Sequence, residues 1–321
     1  MSSLLTGVKA KMYIFAHRRA RGVLDGEYAS IFRGRSLDFD DLRDYVPGDE
    51  VRDIDWKATA RVGTPLIKRY VATRRQQVLF VADTGRNMAA TSRGGQIKKD
   101  IAVMVMGVIG LLACRHGDSV ALIHGDSNAT AALPAKGTES HVENVLRRMD
   151  AASEDSGRSE LCTQLEYAAT HIKARTLLVV VADELAPNER LAKVLRRLNA
   201  QHEILWVEIA DAILAGPGAV HGSAGRSRGS LDKGATASAH PASGWAGTEV
   251  IATDVEGERQ VLLLLANDPE LARSYAQAAA ERSQGLAELL RTQGIAMTCV
   301  GATEQVMTAV FALLERHRRA R

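Results

Sequence analysis

The sequence predicts an α/β protein built on a doubly wound, mostly parallel sheet with helices on both faces. Between about residues 78 and 210, short runs rich in Val, Leu and Ile alternate with stretches of helical periodicity. Strands that are apolar along their whole length are typical of a parallel sheet, because helices cover both of its faces. Right-handed crossovers between such strands then produce a layered, doubly wound domain.

The predicted elements follow one another in a regular order. Strands are expected at 78–83, 119–124, 176–183, 203–209 and 295–300, and helices at 97–115, 139–149, 165–173, 188–198, 269–292 and 304–319. Residues 216–247 are rich in Gly, Ser and Ala and lack apolar periodicity, which indicates a flexible insertion. Two hairpin strands, 248–252 and 260–265, are expected after it. The chain therefore divides into a charged N-terminal segment, 1–77, and an α/β domain, 78–321.

Length and composition limit the classes of function. The chain has 321 residues, 46% of them hydrophobic, which is enough for a substantial core. Its formal net charge is only +3 and its aromatic content only 4%, so we expect no nucleic-acid partner. The three cysteines lack metal-ligand spacing, which fits a cytoplasmic location. We expect neither a signal peptide nor a transmembrane segment, since the longest apolar run, 101–114, is too short to span a bilayer.

A basic stretch, 9–21, lies near the N-terminus and carries a small apolar face formed by Met12, Ile14 and Phe15. Such a stretch forms either a helix on the protein surface or a peripheral anchor on anionic lipid. The small size of its apolar face favours the surface helix.

The rest of the charged segment contains a turn at Pro47-Gly48-Asp49, because proline presets φ and glycine permits a positive φ. Charges of both signs surround Tyr45 and Trp56. This density indicates a packed, salt-bridged segment, although a solvated charged surface would have the same composition. The segment would form a small β-module of its own or wrap the α/β domain.

Two aspartates end predicted strands and are the first candidates for a site. Asp83 ends the first strand of the domain and Asp183 ends a central one. Because ligands of open parallel sheets collect at the carboxyl ends of strands, both carboxylates would lie at one edge. With Thr163 and Asn87 they would offer hard oxygen ligands to Mg²⁺. Each aspartate could instead cap a following helix or orient a turn.

Motifs of known enzyme classes are missing or lie in the wrong context. No phosphate-binding or dinucleotide-binding glycine motif follows a predicted strand. The string Gly225-Arg-Ser-Arg-Gly229 matches a nucleophile elbow, but it lies inside the Gly/Ser-rich insertion with no strand before it. Asp53 and Asp55 would share a face only on a strand, and pairing with Arg52, Lys57 or Arg61 is the alternative.

A long string in the charged segment resembles a known family. Residues 42–57 read Leu-Arg-Asp-Tyr-Val-Pro-Gly-Asp-Glu-Val-Arg-Asp-Ile-Asp-Trp-Lys, and the stretches 33–61, 65–70 and 78–83 extend the match. They closely resemble the family catalogued as domain of unknown function 58, from about Tyr28 to the last helix, with 216–247 as an atypical insertion. The resemblance implies a von Willebrand A-like fold and an association with AAA+ ATPases of the MoxR type, which are regarded as chaperones. Many relatives carry transmembrane helices before the signature, and this chain resembles the members without them.

The chain departs from the family at the metal-ion-dependent adhesion site that the fold implies. The usual pattern is Asp-x-Ser-x-Ser, with a Thr and an Asp supplied by later loops. Here it reads Asp83-Thr84-Gly85-Arg86-Asn87, so one hydroxyl ligand is missing and a positive charge is added. Thr163 and Asp183 would fill the later positions. Two alternatives stay open: a degenerate Mg²⁺ site, and an edge retained only for protein docking.

The resemblance and the missing catalytic motifs together predict a non-enzymatic adaptor. It would dock with a MoxR-type ATPase and with a client protein. We expect the partner-binding surface to include signature residues, namely Arg43, Tyr45, Asp49, Arg52, Asp55 and Trp56. The alternative is a metal-dependent hydrolase in which Asp83 and Asp183 hold an ion that activates water.

Overall fold

The computed structural model describes residues 3–18, 37–47, 49–72, 76–212, 250–253, 260–262 and 268–319. The predicted insertion 216–247 and the string 225–229 therefore lie outside the described residues. The helices are α1 (Leu4–Arg18), α2 (Trp56–Val62), α3 (Lys98–Arg115), α4 (Glu139–Asp150), α5 (Leu161–His171), α6 (Glu189–Asn199), α7 (Pro269–Thr292) and α8 (Val306–Arg319). The strands are β1 (Leu37–Asp44), β2 (Leu66–Ala72), β3 (Gln77–Asp83), β4 (Ser119–Gly125), β5 (Thr130–Lys136), β6 (Leu177–Asp183), β7 (Glu203–Ile209), β8 (Val250–Thr253), β9 (Gln260–Leu262) and β10 (Ala296–Val300).

A six-stranded sheet organises the α/β domain. Its strand order is β10-β7-β6-β3-β4-β5, and every neighbouring pair is parallel except β4 and β5. This is a doubly wound order, since the chain builds the sheet outward on both sides of β3. The predicted fold class is therefore confirmed. The predicted hairpin after the insertion is also present, as the antiparallel pair β8 and β9.

Helices cover both faces of the sheet and explain why its strands are apolar throughout. Strand residues that point to one face, such as Phe80, pack with α1, α3, α4 and α8. Those that point to the other face, such as Trp206, pack with α5, α6 and α7. Phe80 and Trp206 are fully buried. Burying a large apolar side chain stabilises the fold by roughly 1.5–3 kcal/mol. Apolar strand residues are therefore stabilised on both faces of the sheet, because helices cover both.

Two differences from the sequence prediction have physical reasons. The edge strand β5 is not predicted, because its sequence Thr-Ala-Ala-Leu-Pro-Ala-Lys has little apolar character and contains Pro134. Proline cannot donate to a ladder and is tolerated at a sheet edge, where β5 lies. Helix α5 begins at Leu161 rather than at residue 165, since Glu160 provides no side-chain cap that would mark a start.

Helix α1 packs directly on the α/β domain. Glu143 of α4 accepts hydrogen bonds from the backbone amides of Leu4 and Leu5, at 3.2 and 2.9 Å. Val8 is buried so closely against α3 that a Cβ at Gly107 would lie 2.6 Å from its side chain. Met12 is buried in the same core. The surface-helix interpretation of this stretch is therefore the one that agrees with its contacts.

Strands β1 and β2 and helix α2 make up the rest of the described N-terminal segment. Strands β1 and β2 pair antiparallel, and the connection between them contains a 3₁₀ turn, Val51–Asp53, and the short helix α2. An isolated bridge between Ile54 and Ile67 ties the connection to β2. Among all the helices described, none is long and apolar enough to cross a lipid bilayer.

Candidate functional site

The carboxyl ends of three neighbouring parallel strands each carry an aspartate. Asp83 ends β3, Asp183 ends β6, and Asp211 lies two residues beyond the end of β7. These strands are adjacent in the sheet. The chain leaves β3 towards β4 on one side and returns to β6 on the other, so the switch point of the sheet lies between Asp83 and Asp183. Both carboxylates thus lie at the same edge, as the sequence predicts.

These strand-end carboxylates are shielded from water. Asp83 is 0% and Asp183 is 2% exposed, and Asp83 Oδ1 accepts a hydrogen bond from the Gly85 amide at 2.7 Å. Burial raises the pKa of Asp183 to about 6, while the charge of Lys98 and hydrogen bonding to Asn87 oppose this rise. The Asn87 side chain therefore lies beside Asp183. Buried carboxylates need a positive partner, because an uncompensated buried charge is strongly destabilising.

Lys98 supplies a buried positive charge at this edge. It is the first residue of α3, its side chain is 2% exposed, and its Nζ lies 3.6 Å from Asp183 Oδ2. The same ammonium forms an ion pair with Asp211 Oδ1. Burial alone would lower the pKa of Lys98, but the charges of Asp183 and Asp211 outweigh burial and raise it. One protonated amine therefore joins the ends of β6 and β7.

The loop between β3 and α3 covers the same edge. Ser92 pairs with Asp211 in an isolated antiparallel bridge, and its Oγ donates to the carbonyl of Gly301 at 2.9 Å. The amide of Arg93 donates to the carbonyl of Ala210 at 3.0 Å. The amide of Gly94 donates to the carbonyl of Gly301 at 2.9 Å. These bonds hold the loop across the ends of β7 and β10, directly before Lys98 in sequence.

Gly85 occupies a position where no side chain fits. A Cβ at Gly85 would lie 2.6 Å from the backbone nitrogen, the Cα and the Oγ of Ser159. The neighbouring Arg86 donates from its amide to the carbonyl of Gly157 at 2.9 Å, and from Nε to the carbonyl of Ser156 at 3.2 Å. The loop before α5 therefore fills the space that a serine of the adhesion motif would need, and it also engages the side chain of Arg86.

Thr163 has a different environment from the one expected. Its Oγ1 accepts a hydrogen bond from Arg190 of α6 at 3.2 Å. Arg190 also forms ion pairs with Glu160 and Glu166, at 2.7 and 2.8 Å. The Thr163 hydroxyl thus belongs to a network between α5 and α6. Ser159 is the hydroxyl residue that lies nearest to a Cβ placed at Gly85.

These contacts do not fit a divalent cation. Mg²⁺ requires near-octahedral oxygen ligands at about 2.0–2.1 Å. Within the described ranges, no group of three or more His, Cys, Asp or Glu residues could hold a metal ion. The Lys98 ammonium already contacts Asp183 and Asp211, so an added cation would experience electrostatic repulsion.

Several of the expected partner-binding residues have structural contacts within the signature segment. Arg43 pairs with Asp49 at 2.6 Å, and the other oxygen of Asp49 accepts the amide of Val46 at 2.9 Å. The Asp49 contacts lower its pKa, chiefly through the hydrogen bond from Arg43. Asp55 caps α2 by accepting the amides of the two residues after Trp56, both at 3.0 Å. These contacts close the turn and begin the helix.

Of the remaining expected partner-binding residues, Arg52 and Trp56 are exposed and Tyr45 is half-buried. Trp56 is 63% exposed, and the Arg52 side chain is 80% exposed beside Glu50, with which it forms an ion pair. The backbone amide of Tyr45 donates to the carbonyl of Pro65 at 2.9 Å, which fixes the start of the connection. Three more exposed apolar residues lie in the same stretch: Val46, Val51 and Val62.

Sequence reasoning missed Lys98, Asp211 and Ser159. Lys98 carried a usable signal, since a lysine in the first turn of an apolar helix opposes the helix dipole and needs a compensating carboxylate. Asp211 also follows an apolar strand, in the same way as Asp83. Ser159 gave no signal, because its contact with Gly85 depends on how two loops pack.

Solved structures with some similarity include an aerotolerance-related membrane protein of Bacteroides fragilis and the protein BatB of Bacteroides thetaiotaomicron. Their TM-scores are 0.41 and 0.40 at 12% and 11% identity, covering 75% and 76% of this chain and 99% of each of theirs. The von Willebrand A domain of SpRpn10 has a TM-score of 0.33 at 11% identity, covering 42% of this chain and 75% of its own.

Sequence relatives include uncharacterized proteins of Mycobacterium bovis and Mycobacterium tuberculosis, each 26% identical over 192 residues. The match covers 59% of this chain, which spans only about 60% of the length of these relatives. The family described as "Protein of unknown function DUF58" matches residues 41–215, more than half of the chain. The chain therefore belongs to the DUF58 family.

Proposed function

We propose that this protein is a non-enzymatic adaptor that docks with a MoxR-type AAA+ ATPase and, with it, acts on a client protein. The observation that carries the proposal is the exposed apolar surface of the signature segment. Four apolar side chains between residues 46 and 62 are 55–63% exposed, and Trp56 is the largest of them. Because such ATPases use the ATP of the cytoplasm, we assign the encounter to that compartment.

The chemistry of this surface suits a protein partner. Trp and Arg are enriched among the residues that dominate binding energy at protein interfaces, and Trp56 and Arg52 lie close in sequence here. Both side chains of the ion pair between Arg52 and Glu50 are exposed, at 80% and 58% respectively. Such exposed pairs contribute little to stability, so the Arg52 guanidinium can exchange its partner for a carboxylate of another protein.

We further propose that the strand-end edge is a second docking surface, retained from a degenerate adhesion site. Its exposed part includes Ile97, which is 43% exposed, and the side chains of Arg93 and Asp211, which are 52% and 37% exposed. Both charge signs and one apolar group are therefore presented beside a rigid sheet. Such a mixed patch is typical of a transient interface.

A metal-dependent hydrolase is the competing function. It would require an ion held by Asp83 and Asp183, and the contacts of Lys98 with Asp183 and Asp211 disfavour that ion. The competing function makes a clear prediction, namely hydrolysis of phosphoesters or peptides that is lost in Asp83→Ala. Such activity would favour the hydrolase over the adaptor.

Binding to a purified MoxR-type ATPase tests the adaptor directly. The wild-type protein, Trp56→Ala and Ile14→Ala would be compared by surface plasmon resonance on an immobilised MoxR-type ATPase, with and without ATP and Mg²⁺. Ile14 is the matched control, because it is 56% exposed on α1, outside the signature segment. We expect Trp56→Ala to weaken binding by about 30-fold, corresponding to about 2 kcal/mol for a dominant interface residue, and Ile14→Ala to have no effect. An absence of wild-type binding in every condition would remove the main support for the adaptor.

A further inference from the structure

We propose that Lys98 is a built-in cation, whose ammonium takes the place of the divalent metal ion expected at this edge. Its Nζ lies 3.6 Å from Asp183 Oδ2 and pairs with Asp211 Oδ1. The ammonium then offsets part of the carboxylate charge at this edge without any metal. The inference deepens the proposed docking function and rests on it for one consequence, that partner binding at this edge is independent of divalent cations.

The position of Lys98 is unfavourable for a lysine unless it serves these carboxylates. The start of a helix carries partial positive charge, which repels an ammonium, and Lys98 opens α3. Removing an ammonium from water carries a further large penalty, and the side chain is only 2% exposed. The attraction of Asp183 and Asp211 must outweigh both effects. It is therefore the main reason for a lysine at this position.

The adjacent lysine, Lys99, has a different set of contacts. The Lys99 ammonium points to the end of α4, where it donates to the carbonyls of Asp150 and Ala152, both at 2.9 Å. Lys99 contacts the C-terminal end of a helix, which attracts a cation. Of these two consecutive lysines, Lys98 is the one directed to the strand ends. The effects of replacing each lysine on stability can therefore be compared directly.

The surroundings of the carboxylates also leave little room for a metal with its ligands. Ser159 fills the space beside Gly85 where the adhesion motif has a hydroxyl. On the other side, the loop bearing Ser92 is bonded to Asp211 and Gly301 across the strand ends. A metal would have to displace the ammonium and open this loop. A tethered cation needs neither change.

Divalent-ion titration and urea unfolding of four proteins test the proposal: the wild type, Lys98→Met, Lys99→Met and the double variant Lys98→Met with Asp183→Asn. Calorimetry with Mg²⁺ and Mn²⁺ measures binding, and unfolding with and without these ions measures stability. Lys99→Met is the matched control, since it removes the same charge one residue away. The double variant removes a charge from each side, so it remains informative if Lys98→Met fails to fold.

We expect no Mg²⁺ or Mn²⁺ binding by the wild type and no effect of either ion on its unfolding. Lys98→Met should raise the unfolding equilibrium constant at least about 100-fold, because it leaves buried carboxylates uncompensated, whereas Lys99→Met should raise it less than about tenfold. The double variant should recover most of the loss. Binding of either ion that stabilises the wild type, or equal effects of Lys98→Met and Lys99→Met, would overturn the proposal. Neither readout involves the ATPase, so failure here is distinguishable from failure of the adaptor function.

Discussion

The pH dependence of stability gives a quantitative test of the raised pKa of Glu208, a buried residue of the sheet. It lies in β7, paired with Ala182 of β6 and Cys299 of β10, and is 1% exposed. Among the described residues, its carboxylate oxygens lack a strong hydrogen-bond donor, since the thiol of Cys299 is only a weak one. Burial raises the pKa of Glu208 to about 7, and the charge of Glu184 adds to this rise. Weaker effects of Cys299 and Arg93 lower it.

Replacing Glu208 with glutamine should therefore change the pH dependence of stability. The usual pKa of a glutamate is 4.5, so between that pH and about 7 the folded protein keeps a proton that the unfolded chain has released. Stability then falls as the pH rises through this window, because the folded state binds more protons. A difference of about 2.5 pH units corresponds to about 3 kcal/mol. The amide of Glu208→Gln does not ionise, so the variant avoids this loss.

Urea unfolding at about pH 5 and about pH 8 measures this difference. We expect the free energy of unfolding of Glu208→Gln, relative to the wild type, to increase by up to about 3 kcal/mol between the two pH values. Glu270→Gln, at the exposed start of α7, is the control and should leave the pH profile unchanged. If the stability of Glu208→Gln depends on pH in the same way as that of the wild type, the inference that the buried Glu208 carboxyl stays protonated is refuted.

Two further substitutions test the packing around the site and the N-terminus. Gly85→Ser, which restores a hydroxyl of the adhesion motif, should lower the free energy of unfolding by about 1–3 kcal/mol without producing Mn²⁺ binding, because Ser159 occupies the space. Urea unfolding with and without Mn²⁺ measures both, and stabilisation by the ion would contradict the steric reasoning. Glu143→Ala should loosen α1 by about 1 kcal/mol, because the first amides of the helix lose their acceptor. Hydrogen exchange of α1 reports the change, and unaltered protection would contradict it.

The sheet and the position of Asp83 and Asp183 could be predicted because they follow from short-range pattern. Runs such as Leu177–Asp183 are fully buried, so hydrophobicity alone marks them as strands. Strand β5 could not be found in this way, since an edge strand with Pro134 needs few apolar residues. In the same way, Asp55 is marked as a helix cap by its position before Trp56, but only the structure assigns it that role.

The partners of the strand-end carboxylates depend on long-range packing. Lys98 and Asp211 are more than 100 residues apart in sequence, and no local pattern brings their side chains together. The contact of Gly85 with Ser159 similarly depends on the path of two loops. Periodicity and motif spacing therefore do not predict the role of Lys98. The sequence does show an unfavourable positive charge at the start of a helix.

Hydrogen exchange of the protein, alone and with saturating MoxR-type ATPase, is the most direct measurement of whether the signature segment is the docking surface. We expect slower exchange in residues 45–62 and in the loop 91–97 when the ATPase is bound. Helices α1 and α4 should exchange at the same rate in both states. A complex that forms while residues 45–62 exchange as fast as in the free protein would contradict the proposed adaptor surface.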